Sequence, residues 1–194
     1  GRLQRKIDQV HDMFIDDEDY KDQYFTYQEK PLIIVYVGTP SPFREGLPKG
    51  ITDNRFTFRY MTGFVSEQAN LRTSDGVSKY GYWSWEDREI QTYTLLNGEP
   101  ECTTITAASR AAREDEPDHP DHIPAIGRKD GETFKKRWEK ARELNVDVAL
   151  VVSWNEWVLN EQPSPEVSKD LEPSEEFGHF YLELLKQEIE KFKN

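Results

Sequence analysis

The chain has 194 residues, 36% of them hydrophobic and 12% aromatic, with a formal net charge of −12. The aromatic content against so modest a charge per residue argues against a disordered chain, and the acidic balance argues against nucleic acid as a partner. No apolar run approaches the roughly 18 residues of a membrane span, so no membrane partner is expected, and a lone Cys102 rules out an intramolecular disulfide or a cysteine-rich metal site.

Leu3, Ile7, Val10 and Phe14 recur at helical spacing, which predicts an amphipathic helix over residues 3–14. The run LIIVYV at 32–37 follows Pro31 and precedes Gly38; its continuous apolarity predicts a strand covered on both faces, as in parallel sheets. Prolines and glycines make 38–54 a loop. A strand is expected at 55–62, where Phe56, Phe58 and Tyr60 alternate with Arg55, Thr57 and Arg59. An aromatic cluster at 80–85 comes next, then a strand at 102–108 and an acidic, proline-rich loop at 109–131. Phe134, Trp138, Ala141 and Leu144 mark a helix over 132–144, and a second fully apolar strand runs through 147–154. After a polar loop at 160–173, Ser174 is an N-cap candidate for a last helix striped by Phe177, Tyr181, Leu184, Leu185 and Phe192. Buried-type strands alternating with helices predict an α/β fold with a mostly parallel sheet, in which chemistry sits at the carboxyl ends of strands.

The segment Trp154-Asn155-Glu156-Trp157 follows the last apolar strand directly. Indole faces stack on sugar C–H faces, while carboxylates and amides bond hydroxyls. Glycosidic cleavage also needs a pair of carboxylates flanking the scissile bond. Capping of the core by the tryptophans, with Glu156 meeting solvent or an arginine, fits the same residues. The segment Tyr82-Trp83-Ser84-Trp85-Glu86-Asp87 offers two indoles and two carboxylates for a sugar subsite, or ordinary packing followed by the start of the next element. Arg59, Arg110, Arg113 and Arg128 suit an anionic substrate group, or pairing with the abundant Asp and Glu. His119 and His122 lie among acids in EPDHPDH, but Pro117 and Pro120 break any ligand geometry, so a solvated loop and no metal are expected. Cys102, in a β-run, reads as a buried structural thiol. Phosphate-binding, nucleophile-elbow and zinc motifs are absent, leaving carboxylate chemistry without a cofactor.

The order of K-P-L-I-I-V-Y at 30–36, R-K-D-G-E-T-F-K-K-R-W-E-K-A at 128–141, V-V-S-W-N-E-W at 151–157, L-E-P-S at 171–174 and F-G-H-F-Y at 177–181 resembles the C-terminal part of glycoside hydrolase family 99 and its WbsX-like relatives. The resemblance implies a (β/α)8 TIM-barrel-like fold, with residues 32–36 as about the fifth strand and 148–154 as the eighth. It also implies an endo, retaining cleavage of α-mannosidic linkages through an anhydro-sugar, and it favours an extracytoplasmic location. Glu156 matches the carboxylate that acts on the sugar 2-hydroxyl, and Tyr36 a tyrosine lining the site. Leu159 and Asn160 stand where the family has its second carboxylate and a glycine, so Glu161 is the nearest replacement, with Glu86, Asp87 and Glu172 as alternatives. The expected catalytic residues are thus Glu156 and Glu161, with Tyr36, Trp154, Asn155, Trp157, Trp83, Trp85, Arg59 and Glu172 binding an oligosaccharide or polysaccharide. A non-catalytic sugar-binding protein and a role in polysaccharide biosynthesis are the alternatives. Since a (β/α)8 barrel takes about 250 residues, the chain is expected to be a single domain from the C-terminal half of a longer barrel, inactive alone. A second copy or the missing half would complete it.

Overall fold

The structure, a computed structural model, describes residues 1–38, 51, 53–63, 65–156 and 165–194. It is α/β. Helix α1 (Arg2–Val10) passes into a π-helical turn (His11–Ile15). Strands β1 (Thr26–Tyr27), β2 (Lys30–Tyr36), β3 (Thr57–Thr62) and β4 (Trp83–Ser84) form one sheet in that order. Strands β5 (Tyr93–Leu96), β6 (Glu99–Ile105) and β7 (Val148–Val151) form the other. Helix α2 (Glu132–Leu144) precedes β7, and α3 (Phe180–Lys193) closes the chain.

The sheets are mixed, which corrects the expectation of a mostly parallel one. The β2–β3, β3–β4 and β6–β7 pairs are parallel, whereas β1–β2 and β5–β6 are antiparallel. Two tight turns cause this. Asn97 (φ 55) and Gly98 (φ 91) are both left-handed, the backbone that a two-residue hairpin requires, and Gln28 (φ 53) and Glu29 (φ 64) repeat it between β1 and β2. The two sheets meet where the Thr104 hydroxyl donates to the Ser84 carbonyl.

Alternation along the strands then sorts the side chains. Met61, Trp83 and Cys102 form a buried cluster with Tyr27, Leu32, Trp85, Val148 and Leu150 on the inner face. On the outer face Ile105, Ala149 and Val151 pack against Phe134, Trp138 and Ala141 of α2 and Tyr181 and Leu184 of α3. Gly131 permits that approach: a Cβ there would lie 2.8 Å from Leu184. Arg142 and Glu188 clamp the two helices with a 2.6 Å ion pair. The Cys102 thiol is buried and pushed well above its ordinary pKa, first by burial and then by Glu101.

Three local expectations are revised. The inner face of β2 is open, with Ile34 36% and Tyr36 56% exposed, because no described element lies across it. Only Ile7 of α1 is buried, and the helix is tethered by polar contacts, Arg55 bridging Asp8 and Asp53 at 2.5 Å each. Ser174 does not cap α3. Its Oγ accepts the Phe177 amide in a turn closed by the Gly178 amide on the Ser174 carbonyl, and the helix starts later, at Phe180.

Candidate functional site

The parallel strands end around one opening, a cavity of about 660 Å³. Ile34 and Tyr36 of β2, Met61 of β3, Trp85 just past β4, and Leu150 to Trp154 with Glu156 from the end of β7 line it. Each arrives there by register: pairing of Tyr36 with Met61 and of Met61 with Trp83 sets the depth of each wall residue. Tyr36 and Trp85 meet edge-to-face at 6.5 Å, and Trp154 stands at the rim, 48% exposed. Trp85 is tied to the end of β3 by its amide, 2.8 Å from the Thr62 carbonyl.

Charge enters from one side. Lys169 Nζ is 2.8 Å from Glu156 Oε2 and 3.4 Å from Glu86 Oε2. Lys169 and Glu86 are nearly enclosed, while Glu156 keeps about a quarter of its side-chain exposure. Burial works against the Lys169 charge, but the attraction of Glu86 and the hydrogen bond and charge of Glu156 outweigh it, so its pKa is raised. One ammonium thus holds two carboxylates together, Glu156 in the wall of the aromatic cavity and Glu86 buried outside that lining. Beside them Asp87 is fully buried, taking the Thr92 amide at 2.5 Å and the Thr92 hydroxyl, and burial pushes its carboxyl up.

The cavity therefore gathers Tyr36, Trp85, Trp154 and Glu156 of the residues expected there; Glu86 of the alternatives is buried outside its lining and reaches Glu156 only through Lys169. Asn155 is exposed beside them, and Glu172 is tied to the same loop by its amide, 2.9 Å from the Trp154 carbonyl. Trp157 and Glu161 lie outside the described residues. Trp83 and Arg59 are not at the opening. Trp83 is 1% exposed, and its indole donates to Glu101 Oε2 at 3.0 Å. Arg59 Nε donates to Glu101 Oε1 at 2.6 Å, and its guanidinium lies over the Tyr27 ring. With the Thr94 hydroxyl at 2.9 Å, these satisfy a buried carboxylate deeper in the inner face. Sequence reasoning missed Glu101, Lys169 and Asp170, because nothing in local spacing shows which polar residue of a β-run or a loop turns inward.

Of the remaining cations, Arg110 and Arg113 pair with Glu114 and Glu116, and Arg128 is buried against Phe177 and Tyr181. His119 Nδ1 accepts the Asp121 amide, and His122 Nδ1 meets the Arg113 carbonyl at 3.1 Å. Among the described residues, metal-ligand types gather at His11, Asp12 and Asp16, a mostly exposed group in which His11 and Asp16 already pair at 3.1 Å. No helix of the described residues is long and apolar enough to cross a membrane. Comparison with protein-family models, with curated proteins and with solved structures finds no match.

Proposed function

We propose that the cavity is the sugar site of a glycoside hydrolase resembling family 99, built on the C-terminal half of a (β/α)8-type barrel and acting on an α-linked, mannose-type oligosaccharide or polysaccharide. The observation that carries this reading is Glu156 in the wall of an aromatic cavity where parallel strands end, tied through Lys169 to the buried Glu86. Tyr36, Trp85 and Trp154 supply stacking faces, and the carboxylates supply proton transfer. In this scheme Glu156 takes the proton of the sugar 2-hydroxyl as that oxygen attacks the anomeric carbon. The departing glycosidic oxygen takes a proton from the second carboxyl, for which Glu86, held to Glu156 through Lys169 and protonated for this step, is the candidate, and water then opens the anhydro-sugar. Glu86 stands in for the acid that the sequence lacks at Leu159. The open inner face of β2 supports completion of the barrel by further strands, from a second copy or from additional chain.

The test is Glu156→Gln against α-linked mannooligosaccharides. Turnover should fall by at least about 100-fold while binding persists, the pattern of a lost proton-transfer group. Unchanged turnover removes Glu156 from the chemistry.

A non-catalytic sugar-binding site is the second reading, favoured by the Lys169 ammonium already occupying Glu156 Oε2. It requires saturable binding without products from any glycan in a panel, and release of products by the purified protein eliminates it.

A further inference from the structure

Beneath Glu156 lies a carboxylate that the proposed chemistry does not use. Asp170 is 1% exposed. Its Oδ1 accepts the Glu156 amide at 2.7 Å and the Ser153 hydroxyl, and its Oδ2 accepts the Ser168 hydroxyl at 2.8 Å. Residues 152–156 form no helix or strand, so no regular ladder fixes the Glu156 backbone. The residues beside Asp170 add to the hold: the Leu171 amide donates to the Ser153 carbonyl at 3.1 Å, and the Glu172 amide to that of Trp154 at 2.9 Å.

Asp170 is itself anchored. The Arg128 guanidinium donates to the Asp170 carbonyl and, through Nε, to the Pro165 carbonyl at 2.9 Å. The guanidinium lies in cation–π contact with Phe177 and Tyr181, at 4.7 and 4.2 Å from their ring centres. A chain of contacts therefore runs from the foot of α3 through Arg128 and Asp170 to the backbone of Glu156. The same short segment presents Lys169 to the Glu156 carboxylate. Backbone and side chain of Glu156 are thus held by adjacent residues.

We propose that Asp170 is a positioning residue for Glu156, an inference that rests on the reading of Glu156 as a sugar-processing carboxylate. Bonds to an ionised acceptor are roughly twice as strong as neutral ones. A displacement of about 1 Å at a reacting group costs about 100-fold in rate. Asp170 fixes where the Glu156 carboxylate stands and touches no substrate.

The test compares Asp170→Ala and Asp170→Asn with the wild-type protein by hydrogen exchange at the Glu156 amide and by steady-state turnover of an α-linked mannooligosaccharide. Asparagine keeps a neutral acceptor for the Glu156 amide, so exchange there should rise by about tenfold or less; alanine removes the acceptor and should raise it by about 100-fold. Exchange within α2 should stay unchanged, and kcat of the alanine variant should fall by about 100-fold with KM within about twofold. Unchanged exchange at Glu156, or an equal rise at Glu156 and throughout α2, overturns the proposal. Should the alanine variant not fold, the asparagine variant is judged by the same criteria. Absence of turnover in the wild-type protein defeats the reading that this chain hydrolyses the substrate by itself, and the exchange measurement still decides whether Asp170 holds Glu156.

Discussion

Lys169 Nζ stands 2.8 Å from Glu156 Oε2, and the same ammonium reaches the more deeply buried Glu86 at 3.4 Å. In the resting arrangement two carboxylates brought to one ammonium repel each other unless that counter-charge sits between them. Lysine is suited to that place because a compact ammonium on a flexible stem can serve two acceptors that share no plane.

The raised pKa of Lys169 gives a stability signature. A basic group whose folded-state pKa exceeds its unfolded value, about 10.4 for lysine, stabilises fully below that value and loses the contribution as pH rises through the folded one. Lys169→Met should therefore be about 3 kcal/mol less stable at pH 7, and the gap to wild type should narrow in alkali. Urea titrations at neutral and strongly alkaline pH measure this. A gap that does not narrow contradicts the prediction.

Arg59 and Glu101 make a different pair, buried in the inner face and away from the opening. Arg59→Met leaves the Glu101 carboxylate without its cation and should cost about 3 kcal/mol. Sugar affinity at the cavity should be unchanged. Calorimetric titration of the folded variant separates this structural role from a ligand-binding one, which would weaken affinity with little loss of stability.

Trp154→Ala should do the reverse. At 48% exposure its indole contributes little to the core, so unfolding should shift by less than about 0.5 kcal/mol. Loss of a stacking face should weaken oligosaccharide binding by roughly tenfold. Retained affinity would remove Trp154 from the binding surface.

Gly98→Ala probes the hairpin that makes the second sheet mixed. Nothing lies within 4 Å of a Cβ placed there, so the cost is confined to a backbone at φ +91 and should be about 1 kcal/mol. A thermal melt showing no loss would mean that the turn relaxes to another type.

What the sequence disclosed, and what it withheld, divides along a physical line. The runs at β2 and β7 are legible as strands from their unbroken apolarity, though the open inner face of β2 is not, and the stripes of α2 and α3 are legible because helical periodicity encodes which face is buried. The Asn97-Gly98 turn is an equally local cue, but Pro100 and Glu101 break the apolar pattern behind it, so β6 begins before its β-branched run suggests. Trp83 and Trp85 share a face and differ only in depth, which is fixed by the pairing of Met61 with Trp83 and leaves no mark on spacing. Glu86, Lys169 and Glu156 meet from loops far apart in the chain. Their residue types suggested a carboxylate site, but not which acid would stand beside Glu156.

The unequal burial of the indoles has an optical consequence. Of the five tryptophans, Trp83 and Trp138 are sealed at 1% and 2% exposure, Trp85 is half-buried, and Trp154 projects into solvent at the cavity rim. Among the described residues an aqueous quencher such as iodide meets Trp154 first. Among the described tryptophans, emission at the red edge therefore comes from the rim of the opening, and a ligand seated against the Trp154 indole would announce itself as protection of that indole from the quencher.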